Sequence, residues 1–197
     1  MTGTDAFPPG FERTVDFHGH LCLDIAMGYR VARAALTALG ELGRDPAALV
    51  ATVGNDTCAV DAVQSVTGCT FGKRNLVARL TGKPVYVWQH ARTGEGVRAY
   101  VHYWDHFDAD GNFRDTMRRY KDGKLGPAQA ADFETRHGDL IRHILTAPEA
   151  ELFRITPVSA PAPPKSGGFS ARACSRCGEF AKEALLVDGL CAECASA

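Results

Sequence analysis

"PVYVWQHARTGEGVRAYVHYW", residues 84–104, decides the fold class. Two runs rich in β-branched and aromatic residues, "PVYVWQHA" and "GVRAYVHYW", flank the turn-forming "RTGEG". An antiparallel hairpin is the simplest way to close such a pair, because a short polar loop with glycine reverses the chain and lets both runs alternate across a sheet. Working outward, "HLCLDIAMGYRVARAALTALG" (20–40) carries Leu21, Ile25, Ala32, Leu36 and Leu39 near helical spacing, with Gly40 as a stop. "ALVATVG" (48–54) reads as a short strand. Asn55 or Asp56 is then expected to cap a helix from Thr57 to Val66, ended by Gly68. Pro127 can open a helix through "AQAADFETRHGDLIRHILTA", and "ELFRI" (151–155) can supply a last strand. Helices and strands that do not alternate strictly imply an α+β fold, a mixed helix/sheet main domain, rather than a doubly wound sheet.

The 197 residues are enough to bury a core, and 45% hydrophobic with 23% charged residues is ordinary for a globular protein. Residues 1–155 read as the α+β domain. Residues 156–172, "TPVSAPAPPKSGGFSAR", have the Pro, Ala, Ser and Gly content of a semi-extended linker. Residues 173–197 form a cysteine-dense tail. A net charge of −1 provides no global basic field for nucleic acid or anionic lipid. No apolar stretch is long enough to span a membrane, and the N-terminus lacks the pattern of a secretory signal. Seven cysteines, an odd number, favour reduced thiols and metal ligands over a disulfide framework, so the expected compartment is the cytoplasm.

The tail gives the sharpest signal. In "CSRCGEFAKEALLVDGLCAEC", Cys174 and Cys177 form one C-x2-C knuckle and Cys191 and Cys194 a second. Four thiolates so paired are the ligand set of a tetrahedral structural zinc, with Gly178 and Gly189 supplying turns. A treble-clef or ribbon-like module is expected. From Arg172 onward the basic residues Arg172, Arg176 and Lys182 are outweighed by Glu179, Glu183, Asp188 and Glu193. The module is therefore expected to serve stability or contact with a protein partner, and nucleic acid is not the expected partner.

Two further motifs carry chemistry. "FHGHLCLD" places His18, His20 and Cys22 where the first long helix should begin. An extended strand would spread them over about 13 Å, and a helix would align only His18 with Cys22. A turn running into a helix start can bring His20 and Cys22 together; a helix cap with a buried cysteine is the structural alternative. In "GNDTCAVDAVQSVTGCTFGKRNL" (54–76), Cys58 falls in the first turn of its helix, where the dipole favours a thiolate. Asp61 and Gln64 follow on a shared face, and Cys69 lies past the helix end. A nucleotide phosphate loop needs four residues between Gly and Gly-Lys and then Ser or Thr. Gly68 and Gly72-Lys73 enclose three, and Arg74 follows, so this is not one.

"FHGHLC", "NDTCAVDAVQSVTGCTFGKRNL" and "CSRCGE…DGLCAEC" together resemble the FmdE-like family, named for a component of formylmethanofuran dehydrogenase, over most of the chain. The resemblance implies an α+β domain that pairs into homodimers, and a C-terminal four-cysteine finger similar to the TraR/DksA type. The chain departs from the family's His-Gly-His-x-Cys-Pro-Gly pattern at Cys22-Leu23-Asp24, where Asp24 adds a carboxylate. The resemblance also implies that His18, His20, Cys22, Cys58 and Cys69 form one constellation. Imidazole with thiolate suits zinc, and also iron or nickel. Cys22, Cys58, Asp61 and Lys73 are the candidate reactive residues, Lys73 as a site for a substrate anion or simply as a solvated loop lysine. His90, His102 and His106 are expected as strand or loop histidines, and Trp88, Tyr100 and Trp104 as core or interface aromatics. The resulting expectation is a metal-binding protein whose main domain acts on or senses a small molecule and whose tail holds zinc. The alternative is a non-enzymatic accessory or regulatory metalloprotein docking through its finger.

Overall fold

A computed structural model describes residues 7–108, 110–164 and 170–196. Part of the expected linker, residues 165–169, lies outside them. The chain divides into two compact units, Met1–Lys165 and Ser166–Ala197.

In the first unit, α1 (Phe11–His18) leads through Gly19 to α2 (Leu23–Leu39), which ends at Gly40 as expected. β1 (Leu49–Val53) is followed by α3 (Ala59–Thr67). Gly68 closes α3 at φ 67°, a left-handed conformation that strains any residue with a Cβ. β2 (Leu76–Ala78) returns parallel to β1. β3 (Val85–His90) and β4 (Glu95–Tyr100) form the expected hairpin, with β3 antiparallel to β1. Then come α4 (Tyr103–His106), α5 (Asn112–Lys121), α6 (Pro127–Thr146, with proline in the first turn) and α7 (Glu149–Leu152). β5 (Arg154–Ser159) lies antiparallel beside β4. The sheet order is β2-β1-β3-β4-β5, with one parallel pair among antiparallel ones, so the fold is α+β.

Two local expectations are corrected. The last strand begins at Arg154 rather than Glu151, and it runs through Pro157 into residues read as linker. β5 is an edge strand, and an edge tolerates a residue without an N–H when that side faces outward. The helix after β1 starts at Ala59, with Cys58 at its N-cap. Asn55 does not cap it. The Asn55 Oδ1 instead accepts from the backbone N–H of Thr57 at 3.2 Å and its hydroxyl at 3.0 Å, forming a tight turn ahead of the helix.

The core lies between α2 and one sheet face. Residues on alternate positions, Leu49, Ala51 and Val53 on β1, Tyr86 and Trp88 on β3, and Val97 and Ala99 on β4, are buried with Ile25, Val31 and Ala32 of α2. Each large side chain so buried contributes about 1.5–3 kcal/mol of transfer free energy. Gly28 sets the approach of α2 to α3: a Cβ there would lie 2.6 Å from the Ala59 carbonyl oxygen and 2.7 Å from its Cα. That contact holds the start of α3 against the first turns of α2, which is what positions the site below. No helix among the described residues is long and apolar enough to cross a membrane.

The second unit opens with β6 (Ala171–Ala173), antiparallel to β7 (Phe180–Lys182). The first cysteine knuckle sits in the turn between them. Val187 bridges to Leu190 around Asp188-Gly189, and the second knuckle borders α8 (Ala192–Ala195), a helical turn rather than a second ribbon.

Candidate metal centre

Three helix ends meet at one point in the first unit. His18 is the last residue of α1, and Gly19, left-handed at φ 92°, turns the chain so that His20 and then Cys22 follow at once. Cys22 caps the N-terminus of α2 and its sulfur accepts from the Ile25 N–H at 3.4 Å. Cys58 caps α3. One donor atom from each of His18, His20, Cys22 and Cys58 can be chosen so that all four lie within 4.8 Å of one another. Zinc bonds of 2.0–2.3 Å in a tetrahedron imply donor separations of about 3.3–3.8 Å, so a small closure would complete the shell. Both sulfurs sit at helix N-termini, where the dipole favours negative charge.

The clearest sign of a missing partner is His18. Its Nδ1 lies 2.8 Å from Asp61 Oδ2, while its Nε2 is buried with no hydrogen-bond partner. Asp61 is itself held by the Gln64 amide at 3.2 Å, and Gln64 Oε1 accepts from the Phe71 N–H. A carboxylate on Nδ1–H fixes the tautomer with its lone pair on Nε2, the arrangement that orients metal-bound histidines. The other buried unpartnered nitrogen among the described residues is Trp88 Nε1, an indole N–H that cannot ligate. The residues present therefore fit a metal ion. Burial pushes the Cys22 thiol up to about 12, and the neighbouring Cys58 adds to the shift.

A cavity of about 410 Å³ opens beside the cluster. His20, Cys22, Cys58 and Asp24 are among the residues that line it. Burial raises the Asp24 carboxyl, and His18 opposes that rise. The lining also includes the aromatic Trp104, Phe107 and Phe113, with Arg114 and Lys121 from α5. Asn55 and Tyr86 form part of the wall, linked by a 3.2 Å hydrogen bond.

The remaining expected site residues lie elsewhere. Cys69 is fully buried in the hydrophobic core and is not one of the four clustered donors. Lys73 stands on the exposed turn after α3 and does not line the cavity. Asp61 is not one of the clustered donors; it holds His18. Sequence reasoning missed Arg114, Met117 and Lys121, whose spacing of three and four places them on one face of α5. That repeat of side chains was the available signal.

In the second unit Cys174, Cys177, Cys191 and Cys194 form another group whose sulfurs lie within 4.8 Å of one another. Backbone N–H groups of Cys177, Cys191 and Arg176 converge on the Cys174 sulfur and bring its thiol down to about 6. Cys194 is pushed up to about 12, chiefly by Cys191. Four thiols that cannot all ionise alone, with one already favoured as thiolate, suit a small zinc-binding module.

Comparison with known proteins bears on the first unit above all. A family model described as "FmdE, Molybdenum formylmethanofuran dehydrogenase operon" matches residues 17–154, a span that holds all four clustered donors. A probable S-adenosyl-L-methionine-binding protein of Archaeoglobus fulgidus is 29% identical over 195 residues, covering 93% of this chain and 51% of the relative. The chain thus spans about half the length of that relative. A crystal structure of an FmdE-like protein of the tungsten formylmethanofuran dehydrogenase type, from Syntrophus aciditrophicus, matches with a TM-score of 0.61 at 24% identity, over 94% of this chain and 91% of that one. At that identity the likeness is one of fold.

Proposed function

The chain belongs to the FmdE family, and on that footing we propose that its first unit is a metal site built to meet a small molecule. His18, Cys22 and Cys58 are the permanent donors. His20 is the fourth, and because it is exposed and lines the cavity it can give way to a ligand. The observation that carries this reading is the buried, unpartnered Nε2 of His18, aligned by Asp61 beside three further donors. Zinc is the expected ion, with iron or nickel compatible with the same donor set. A metal held there supplies Lewis acidity or soft-donor affinity next to the cavity, whether the ligand is processed or sensed. The chain's own part is to hold the ligand: aromatic rings against its apolar body, Arg114 and Lys121 near an anionic group. S-adenosylmethionine, the ligand in the name of the Archaeoglobus relative, is the first compound to test. The finger holds a structural zinc, and seven thiols suit the reducing cytoplasm.

The test is metal content paired with ligand binding. Two ions per chain are expected, falling to one in Cys58→Ser, with S-adenosylmethionine and small carboxylic acids bound by the loaded protein and not by that variant. Two ions retained in Cys58→Ser would refute the site.

A second reading, docking of a partner protein through the finger, is favoured by one observation: Phe180, Leu185 and Val187 of the second unit are exposed apolar side chains. Loss of a partner with Phe180→Ser, without loss of the first metal, would support it.

A further inference from the structure

The face of the sheet turned away from α2 carries a cluster of positive charge that the metal centre does not use. Positions alternate along the strands, so while Ala51, Trp88 and Val97 are buried in the core, their neighbours Thr52, Val87 and Arg98 form a cross-strand row on the opposite face, continued by Thr156. Beside this row, Val85, Tyr100 and Arg154 form a second. Two adjoining cavities open there. One of about 330 Å³ is lined by Gly82, Lys83, Pro84, Arg98, Tyr100 and Arg154. The other, of about 280 Å³, includes Arg79, Thr52, Thr81 and Val87, and shares Lys83 and Arg98 with the first.

Four cations, Arg79, Lys83, Arg98 and Arg154, thus border one concavity in a chain whose net charge is −1. Among the described residues none of the four makes an ion pair. Arg154 is instead held with its guanidinium carbon 4.8 Å from the Tyr100 ring centroid. Tyr100 donates to Asp105 at 2.5 Å, which ties that carboxylate to the tyrosine hydroxyl. Arg98 is half-buried and the other three are exposed, so the group of like charges is most favourable when an anion sits among them. Planar guanidinium forks match phosphate oxygens in pairs, and stacking on Tyr100 holds one fork in place before a ligand arrives.

We propose that this open sheet face is a second ligand site, taking a compact oligophosphate-bearing small molecule. Arg98 and Arg154 grip the phosphates from one side and Lys83 and Arg79 from the other. Thr52 and Thr81 add hydroxyl groups, and Val85 and Val87 form the floor. Compactness follows from the grouping: the charges ring two adjoining hollows, instead of forming a stripe that would track a polymer backbone. Gly82 and Pro84 line both this site and the metal cavity, so the two share a wall.

Calorimetric titration of the full chain with inorganic pyrophosphate at physiological ionic strength tests the proposal. Saturable one-to-one binding is expected, weakened at least about tenfold in Arg98→Gln/Arg154→Gln and unchanged in Arg92→Gln, which lies in the hairpin turn outside the face. Equal binding by wild type and the double variant would overturn it, since any heat from metal chelation is common to both. Tighter binding of a single-stranded oligonucleotide than of pyrophosphate, abolished by the same substitutions, would also overturn it, in favour of a polymer surface. So would loss of self-association in the double variant without pyrophosphate binding by the wild type. Should the double variant fail to fold, Arg154→Gln on the exposed edge strand carries the test, with a severalfold loss expected and no loss contradicting it.

Discussion

His18 Nδ1 lies 2.8 Å from Asp61 Oδ2, across 43 residues of sequence and two helices. The contact joins the end of α1 to the first turn of α3 and leaves Nε2 buried without a hydrogen-bond partner. Asp61→Asn keeps the size and removes the charge. It should weaken binding of the first metal by about 10–100-fold, the usual effect of losing a carboxylate behind a ligating histidine. Competition against a chromophoric chelator measures it, and an unchanged affinity would mean that Asp61 does not orient the histidine.

The close approach of α2 to α3 links packing to the site. Gly28→Ala would drive a methyl group into the Ala59 backbone, which cannot yield as a flexible side chain could. A cost of about 1–3 kcal/mol in unfolding free energy is expected, since such clashes are relieved by backbone shifts. Because Cys58 immediately precedes Ala59, the same shift should lower metal affinity. Destabilisation without any metal effect would separate the two roles.

Tyr86 gives the protein an alkaline signature. Burial pushes its hydroxyl up to about 12, with hydrogen bonding to Asn55 opposing. In the unfolded chain a tyrosine ionises near pH 10. The folded-state value is raised, so the stabilisation is complete below about pH 10 and is lost as pH climbs toward 12. The difference in urea midpoint between wild type and Tyr86→Phe should therefore shrink from pH 9 to pH 11. A constant difference would contradict the assignment.

The finger should fold on its own. A peptide of residues 170–197 is expected to be disordered without metal and to gain structure on adding one equivalent of zinc, because binding energy in such modules is folding energy. Circular dichroism shows it, and an unchanged spectrum with zinc would refute it.

Self-association is expected of the first unit alone. A chain ending at residue 164, which keeps β5 whole through Ser159, should sediment as a dimer at micromolar concentration. A monomer would assign the interface to the finger.

The hairpin, α2, α6 and both cysteine motifs were legible because each is written locally: alternation, helical spacing, Pro127 at a helix start and Gly68 at a helix stop. β5 was misplaced because a proline-rich run reads as linker, yet an edge strand accepts Pro157. The site was half legible. The paired motifs announced His18, His20, Cys22 and Cys58, which the fold brings together, whereas Cys69, expected from the resemblance, lies in the core and Lys73 on an exposed turn. Asp61 was expected among the reactive residues; its hold on His18 was not legible, since that contact exists only once α1 packs on α3. Arg114 and Lys121 went unread although Phe113, Met117 and Tyr120 recur at helical spacing along α5, because the helix is short and buries no residue fully, so its periodic signal is brief.

Anomalous scattering from crystals of the full chain, recorded on either side of the zinc, iron and nickel edges, tests the central claim most directly. The account predicts two peaks per chain: one among the four finger sulfurs, and one about 2.3 Å from the Cys22 and Cys58 sulfurs and about 2.0–2.1 Å from His18 Nε2. A single peak at the finger, with Cys22 and Cys58 bonded to each other as a disulfide or their sulfurs more than about 10 Å apart, would contradict it.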